Sequence, residues 1–230
     1  ANTKSVTFDG VDDHASFTPG WIATTADYTL SMWLNVNSFS SFGFAFCTSQ
    51  GNTLTLNTNG NVRFETRTYI SYGLGSKTVI TGASVDTWYH LAVVKQANVP
   101  SGSTTFTYYV NGSSVGTYVY GAVAATYAFG NQYGTSGNVY LARYNSASYY
   151  GNALIDELAI FTSALDATAV SGIYNGGTPA DLSSLSPRNW YRMGDGDEAG
   201  SGTTVYDMGS AGGGTTDMTL VNAVYSTDVP

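Results

Sequence analysis

The chain is built from short runs in which apolar and polar residues alternate, and the densest such run covers residues 88–120. Residues 88–95 are apolar on both faces of a period-2 pattern, which predicts a strand covered on both sides and therefore central in a sheet. A second β-branched and aromatic run, 106–110, leads into Asn111-Gly112, the dipeptide best suited to a two-residue hairpin turn. Together with the returning run 113–120, these segments predict three antiparallel strands that pair in sequence order.

Similar runs on either side of this centre predict a meander of short strands. In the run 28–36, Tyr28 and alternate apolar residues face inward and Trp33 with its polar neighbours faces outward, so the strand is expected to be half-buried. The other predicted strands are 5–8, 42–47, 53–57, 61–66, 68–72, 139–144 and 154–161, with Asn59-Gly60 as a turn. One short helix is predicted near 166–175, with Asp166 as its N-cap and Gly176 just past its end. The pattern therefore indicates two packed antiparallel sheets in an all-β sandwich.

Composition agrees with this class and argues against several functions. The chain has 230 residues, 43% of them apolar, which is enough for one large all-β domain. Only 10% of the residues are charged and the net charge is −8, so scattered Lys and Arg cannot supply the clusters that bind nucleic acid, and an anionic membrane would repel the chain. No apolar stretch approaches the ~20 residues of a membrane span, and no signal-like segment opens the sequence. The single Cys47 lies in an apolar run and is predicted to be a buried free thiol.

Six separated segments resemble one known family. They read VTFDGVDDHASF (6–17), YTLSMWLNV (28–36), TWYHLAVVK (87–95), YYVNGSSVGT (108–117), VYLARY (139–144) and GNALIDELAIFTSALDATAVSGIYNG (151–176). In order and spacing they are similar to the laminin-G-like group of concanavalin A-like jelly rolls. The resemblance implies a two-sheet jelly roll. It does not choose a function, because this scaffold hosts glycan binders, adhesion modules, enzymes and structural parts.

The segment from 178 to 230 departs from the family pattern. Its run 189–223 resembles the leader that in this family precedes the Phe-Asp-Gly-x-Asp-Asp strand, but here it comes last. Because a sandwich without that strand would expose an apolar edge, we predict that the tail folds back over the N-terminal region and completes a single domain of residues 1–230. The tail residues expected in the core are Trp190, Met193, Tyr206, Leu220 and Val221, and Pro230 is expected near Ala1. The alternatives are a tail that crosses to a second copy and a second domain that is cut short.

Carboxylates and amides suggest a metal site. The family pattern would bring together Asp9, Asp12, Asp13, Asn152 and Asp156. Calcium takes about six to eight oxygen ligands from such groups, and laminin-G-like domains often hold calcium, so the resemblance implies calcium as a cofactor. The alternative is that Asp9 and Asp12 hydrogen-bond their own turn and Asp156 ties a loop amide.

Enzymatic activity finds little support in the sequence. Relatives that cleave glucans carry carboxylates on one strand face, about 5–5.5 Å apart. The three glutamates, Glu65, Glu157 and Glu198, lie on separate segments. Asp156 and Glu157 are adjacent and are therefore expected to point to opposite faces of their strand. His90 alternates with apolar residues and is expected to be a satisfied core histidine, so we predict that the protein is not an enzyme.

Exposed aromatic rings beside amides and carboxylates would form a platform for sugars. Candidate rings in loops or on polar faces are Trp33, Tyr69, Tyr72, Tyr118, Tyr120, Tyr133, Tyr144, Tyr149 and Tyr150. The predicted glycan site is Tyr149, Tyr150 and Asn152, because this loop feeds the Ile-Asp-Glu strand and would lie beside the calcium. The alternative is that these rings fill a strand face or an interface in a homo-oligomer.

The tail also resembles stretches of bacteriophage structural proteins. The sequence therefore predicts a non-enzymatic, virion-associated binding or decoration protein of a bacteriophage, on the virion exterior, with other virion proteins or host surface glycans as partners. The alternative is a carbohydrate-binding module of a secreted, extracellular protein.

Overall fold

The structure is a computed structural model that describes residues 1–19, 26–48, 52–68, 71–98, 102–120, 137–195, 202–211 and 216–230. These residues form two antiparallel sheets of eight strands each, and one apolar core lies between the sheets. The predicted all-β sandwich of the jelly-roll type is confirmed.

The strands are β1 (Ser5–Asp9), β2 (His14–Phe17), β3 (Tyr28–Val36), β4 (Gly43–Thr48), β5 (Thr53–Leu56), β6 (Val62–Thr68), β7 (Ser71–Ile80), β8 (Trp88–Asn98), β9 (Ser103–Val110), β10 (Ser113–Tyr120), β11 (Val139–Leu141), β12 (Asn152–Phe161), β13 (Asn189–Tyr191), β14 (Thr204–Val205), β15 (Met218–Val221) and β16 (Val224–Ser226). The first sheet has the order β10-β9-β8-β3-β12-β1-β16, and β13 also pairs with β12. The second sheet has the order β14-β15-β2-β11-β4-β5-β6-β7. Both sheets therefore mix segments from the two ends of the chain.

The strands predicted at the centre of the chain pair as expected. β8 lies between β9 and β3, and β10 continues from β9 as a hairpin. Asn111 and Gly112 form the turn with φ angles of 49° and 73°, the left-handed conformation that a two-residue hairpin of this type needs. The apolar residues on both faces of β8 are explained by two contacts: Leu91 and Val93 belong to the core between the sheets, and Ala92 and Val94 on the other face pack against Val170.

The prediction that β3 is half-buried is wrong. All nine of its residues are buried, including Trp33 on the face that was expected to be exposed. A short helix and the chain that follows it cover this outer face, and the Trp33 ring stacks on the Tyr174 ring at a centroid distance of 5.7 Å. The alternation of apolar and polar residues along one strand indicates which residues face the core, but it does not indicate what packs on the other face.

The helix itself follows the predicted signals. α1 spans Ala167–Tyr174, and the Asp166 side chain accepts a hydrogen bond of 2.8 Å from the backbone N–H of Ala169. Val170 and Ile173 are buried against the first sheet, and Asn175 ends the helix with a φ of 47°. Within the described part of the chain, no helix has the length and apolarity needed to cross a membrane.

The tail contributes strands to both sheets. β13 pairs with β12 and β16 pairs with β1 in the first sheet, while β15 pairs with β2 in the second. Trp190, Met193 and Leu220 are buried. Tyr206 and Val221 are 51% and 37% exposed, so their predicted core positions are wrong. Tyr206 follows the buried Val205, and Val221 follows the buried Leu220. Because successive side chains of a strand point to opposite faces, the side chains of Tyr206 and Val221 point toward solvent.

The pairing of the tail strands leads to a truncation test. A chain that ends at residue 177 lacks β13, β15 and β16, which exposes the edges of β12, β2 and β1 together with their apolar contacts. We expect this chain to lose soluble folded protein, measured by size-exclusion chromatography and thermal melting. A truncated chain that stays monomeric with an unchanged melting temperature would show that the tail is an appendage.

Candidate functional site

The turn between β1 and β2 gathers three carboxylates. Oxygen atoms of Asp9, Asp12 and Asp13 all lie within 4.8 Å of one another. One Asp9 oxygen accepts hydrogen bonds from the backbone N–H groups of Val11, at 2.8 Å, and Asp12, at 3.4 Å. One Asp13 oxygen accepts from the Asp9 N–H at 3.0 Å. These bonds fix the turn and leave the second oxygen of Asp9 and of Asp13 outside this network. We call residues 9–13 the acidic turn.

The acidic turn carries an electrostatic cost. Burial raises the pKa of Asp13, and the neighbouring charges of Asp9 and Asp12 raise it further, against the lowering effects of the Asp9 N–H and of His14. A carboxyl whose pKa is raised by folding favours the folded state below its ordinary pKa and loses that contribution as the pH rises. At neutral pH the ionised turn therefore opposes folding, and a bound cation would offset this cost.

Of the other two predicted ligands, one adjoins the acidic turn and one does not. Asn152 pairs with Asp9 at the start of β12. A Cβ atom on Gly10 would lie 2.9 Å from the Asn152 Cβ, so the glycine lets the turn pack directly on this asparagine. Asp156 lies four residues further along the strand, about 13 Å away. It is completely buried and accepts its hydrogen bonds from Asn2 and Glu157 rather than joining the acidic turn.

An aromatic surface lies at the same end of the sandwich. It consists of Phe42, Phe44, Tyr144 and Tyr149, which we call the aromatic rim. The Phe42 ring meets the edges of Phe44 and Tyr149 at centroid distances of 5.2 and 5.8 Å, and Phe44 lies 4.8 Å from Tyr144. Tyr149 is 59% exposed and Phe42 is 37% exposed. The rim therefore presents rings to solvent that are held in place by other rings.

Two glycines let the loop of residues 142–151 pack on β4. A Cβ atom on Gly43 would lie 2.6 Å from the Tyr150 carbonyl oxygen, and one on Gly151 would lie 2.5 Å from the Phe44 carbonyl oxygen. The Phe44 N–H donates to the Tyr149 carbonyl at 3.2 Å. Since any side chain larger than hydrogen would collide with backbone, these contacts fix where the loop runs.

The same loop holds three non-glycine residues in the left-handed conformation. Ala142, Ala147 and Tyr149 have φ angles of 58°, 54° and 57°. Each such residue costs about 1 kcal/mol or more and persists only where surrounding contacts impose it. Hydrogen bonds between Tyr144 and Ser148, at 3.0 Å, and between Ala147 and Tyr144, at 3.1 Å, close the loop on itself. Tyr149 is thus presented by a constrained backbone.

A polar chain connects the loop to the acidic turn. His14 contacts the Asp12 carbonyl through Nδ1, at 3.0 Å, and Arg143 Nη1 through Nε2, at 3.3 Å. The Arg143 guanidinium lies over the Tyr140 ring, 4.3 Å from its centroid, and Tyr150 lies 6.1 Å from His14. The predicted residues Tyr149, Tyr150 and Asn152 therefore share one end of the sandwich with Asp9, Asp12 and Asp13.

Sequence reasoning missed Phe42, Phe44, His14 and Arg143 as members of this region. Phe42 and Phe44 were predicted as part of a strand, and they reach the loop only because β4 pairs with β11. Residue spacing carries no signal for such a contact.

The remaining aromatic candidates lie elsewhere. Trp33 is buried under α1, and Tyr118 and Tyr120 are half-buried on β10. Tyr69, Tyr133 and the side chain of Tyr72 lie outside the described residues. The expectation that Trp33 is an exposed binding residue is therefore wrong.

Asp156 and Glu157 also differ from the prediction. They were expected on opposite faces of their strand, but a bulge interrupts the pairing of β12 with β3 between Asp156 and Ala159, and Glu157 has a φ of 45°. Both carboxyl groups consequently lie buried on the outer side of the first sheet, where burial, and then the charge of Glu157, raises the pKa of Asp156. His90 is buried as predicted, with its Nε2 2.8 Å from the Ser31 hydroxyl, but its Nδ1 has no hydrogen-bond partner within the described part of the chain.

The fold and this rim define a jelly-roll β-sandwich of the lectin-like type. Residues 9–171 match the laminin-G-like model of the concanavalin A-like lectin/glucanases superfamily. The chain therefore belongs to this family, as its sequence resemblance implied. No curated protein matches the chain by sequence.

Several solved structures share the fold. A Bacteroides ovatus protein assigned as carbohydrate binding superposes with a TM-score of 0.67 and 18% identity, over 98% of this chain and 60% of that one. The SAP-like pentraxin of Limulus polyphemus, a heptamer, gives a TM-score of 0.54 and 18% identity over 75% of this chain and 82% of its own. Domain 4 of the extracellular arabinanase AbnA of Geobacillus stearothermophilus, in complex with arabinotriose, gives a TM-score of 0.53 and 18% identity. The match covers 74% of this chain and 76% of that one. This chain thus spans about three fifths of the first protein's length.

The close backbone contact at Gly151 can be tested with a matched pair of glycines. Gly151→Ala places a methyl group 2.5 Å from a backbone oxygen, so we expect it to destabilise the fold by about 1–3 kcal/mol in urea unfolding. Gly172 lies on the exposed face of α1, and a Cβ atom there would have no neighbour within 4 Å among the described residues. Gly172→Ala should therefore stabilise the folded state by about 0.5–1 kcal/mol. Equal effects at the two positions would contradict the assigned loop packing.

Proposed function

We propose that this protein is a carbohydrate-binding module whose ligand lies on the aromatic rim. The observation that carries the proposal is the exposed Tyr149 ring, held by Phe42 and by a backbone in the left-handed conformation. A ring that is fixed before the ligand arrives loses little conformational entropy on binding. A contiguous group of exposed aromatic residues, unlike a single one, often marks a binding surface.

The chemistry of the rim suits a sugar. A sugar ring has an apolar C–H face, which packs on an aromatic ring, and hydroxyl groups at its edge, which need hydrogen-bond partners. The Tyr149 and Tyr144 hydroxyls and the Asn152 amide are polar groups of the same loop and of the strand that follows it. A small set of placed polar groups beside apolar surface is typical of small-molecule sites.

The structural neighbours support the same class. The Bacteroides ovatus protein is assigned as carbohydrate binding, and the AbnA domain was solved with arabinotriose. By analogy we propose that this module works outside the cell, binds glycans and does not catalyse a reaction. The similarity of fold supports the class of ligand, and the exposed rings of the rim support the proposed position of the ligand on the surface.

We further propose that the acidic turn binds calcium. Three carboxylates whose oxygens lie within 4.8 Å of one another match the oxygen ligands that calcium prefers. Among the described residues, none of the three forms an ion pair with Lys or Arg, so their charge is free for a cation. Asp9, Asp12 and Asp13 would hold the ion, with the adjacent Asn152 amide as a further oxygen donor. The ion would supply positive charge beside the rim and stiffen the turn.

The virion setting rests on the resemblance of the tail, in which WYRMGD (190–195) is combined with the ending STDVP (226–230), to bacteriophage structural proteins. We keep it as the second candidate, in which the module contacts host surface glycans from the exterior of a bacteriophage particle. The neighbouring genes discriminate between the candidates, since capsid or tail genes indicate a virion and glycoside hydrolase genes indicate a secreted module.

The glycan site is tested by a double replacement, Tyr149→Ala with Tyr150→Ala. We expect loss of binding to any glycan array hit, confirmed by calorimetry, because the exposed ring and its neighbour on the loop are removed. The melting temperature should change by no more than about 3 °C, which corresponds to about 1 kcal/mol for a chain of this size. Tyr206→Ala is the matched control, since it removes another exposed tyrosine distant in sequence.

Two outcomes would count against this placement. Retained binding in the double variant would move the site elsewhere on the molecule. A double variant that changes the mass in solution, while the wild-type protein binds no glycan on the array, would identify the rim as a subunit interface instead.

The calcium site is tested by thermal melting in chelator and in millimolar calcium. A ligand that binds only the folded state stabilises it by about 2.7 kcal/mol at one hundred times its Kd, so we expect a rise of several degrees in the wild-type protein. Asp12→Asn should abolish most of the rise, whereas Asp86→Asn, in an exposed turn, should retain it. An identical melting temperature with and without calcium would exclude the site.

A further inference from the structure

Three buried carboxyl groups lie beneath the start of the chain, away from the rim. Asp156 and Glu157 belong to β12, and Asp195 follows β13. Folding therefore brings together acids that are separated by almost forty positions in sequence. This cluster is distinct from the acidic turn, in which Asp9 and Asp12 are exposed.

Residues 2–4 cover these groups through direct hydrogen bonds, and we call this segment the N-terminal latch. The Asn2 side-chain amide donates to Asp156 at 2.9 Å. Thr3 donates to Asp195 through its backbone N–H, at 2.8 Å, and through its hydroxyl, at 2.6 Å, and the Lys4 N–H donates at 3.3 Å. If the latch opened, water would replace these donors and would reach the carboxyl groups.

The charges around the cluster do not balance. Glu157 forms an ion pair with Arg192 at 3.2 Å and accepts a hydrogen bond of 2.5 Å from the Trp190 indole. Asp156 accepts only from neutral donors among the described residues, the Asn2 amide and the Glu157 N–H at 2.7 Å. With the latch closed, Asp156 and Asp195 thus have no ion-pair partner among the described residues.

We propose that closure of the N-terminal latch takes up a proton, held by the buried pair of Asp156 and Glu157, so that the latch is a pH-sensitive device that opens as the pH rises. The proton provides the charge compensation that the neutral donors do not. The groups that face the pair are Asp195 and Arg192 from the tail, and Lys4 is the basic residue of the latch itself.

The direction of the pKa changes agrees with this geometry. Burial raises the pKa of Asp156 well above its ordinary value, and repulsion from Glu157 and Asp195 adds to the effect. The hydrogen bonds from Asn2 and from the Glu157 N–H act in the opposite direction, but burial is the largest effect. Burial also raises the pKa of Glu157, against the lowering effect of Arg192. Because the closed state binds the proton more tightly than the open state, closure is fully favoured below the ordinary carboxyl pKa of about 4 and weakens as the pH rises toward the raised value.

Amide hydrogen exchange measured by NMR tests the latch directly, because the Thr3 and Lys4 N–H groups are themselves its bonds. Each rate is divided by the intrinsic rate of an unstructured peptide at the same pH, between about pH 5 and about pH 8. We expect the resulting protection factors to fall with rising pH, by up to about ten-fold per unit for one linked proton. The Leu34 amide in β3 should keep a constant protection factor.

Replacing the titrating group gives the decisive comparison. Asp156→Asn keeps an acceptor for the Glu157 N–H but cannot ionise, so the protection of Thr3 and Lys4 should become independent of pH. Asp86→Asn makes the same charge change in an exposed turn and should keep the wild-type dependence. A flat profile in the wild-type protein, or an unchanged profile in Asp156→Asn, would overturn the proposal. If Asp156→Asn does not fold, Glu157→Gln decides. Removing the Glu157 charge lowers the Asp156 pKa, although burial keeps it above its ordinary value, so the fall in protection should end at a lower pH than in the wild-type protein. A fall that ends at the wild-type pH would overturn the proposal.

Discussion

The pairing of β12 on both of its edges is the interaction on which the rest of the structure depends. β3 pairs with nearly its whole length on one side, while β1 and then β13 share the other side. One strand therefore joins the middle of the chain to its beginning and to its tail. The start of β12 places Asn152 beside the acidic turn, and its bulge places Asp156 and Glu157 under the N-terminal latch. The acidic turn and the buried carboxyl groups are thus positioned by the same strand.

The acidic turn and the buried pair of Asp156 and Glu157 differ in how their negative charge is compensated. In a chain with few basic residues, most acids must do without a Lys or Arg partner. The acidic turn keeps Asp9 and Asp12 at the surface, where water or a cation can compensate their charge. Asp156 and Glu157 are buried, where an unpaired charge is costly. Glu157 has Arg192 as its partner, whereas among the described residues Asp156 accepts only from an amide and a backbone N–H. This contrast is the basis for proposing an ion at the turn and a proton on the buried pair.

The aromatic rim depends on backbone contacts more than on side-chain packing. Gly43 and Gly151 bring two backbone segments within a distance that no other residue permits, and Tyr149 is turned outward as a consequence. The left-handed conformation of Tyr149 is unfavourable by itself, so the neighbouring strand β4 must impose it. A loop held in this way presents its ring to a ligand without first having to fold around it.

The sequence by itself determined the fold class, the central strands, the short helix and its cap, and the burial of Cys47. These features follow from local patterns, since alternation, Asn-Gly turns and capping residues act within a few positions of one another. The tertiary structure alone decided that β3 is buried on both faces, that Phe42 joins Tyr149, and that Asp156 lies apart from Asp9. Each of these depends on which distant segment packs against a strand, or on a bulge that reverses the alternation, and neither leaves a periodic signal in the sequence.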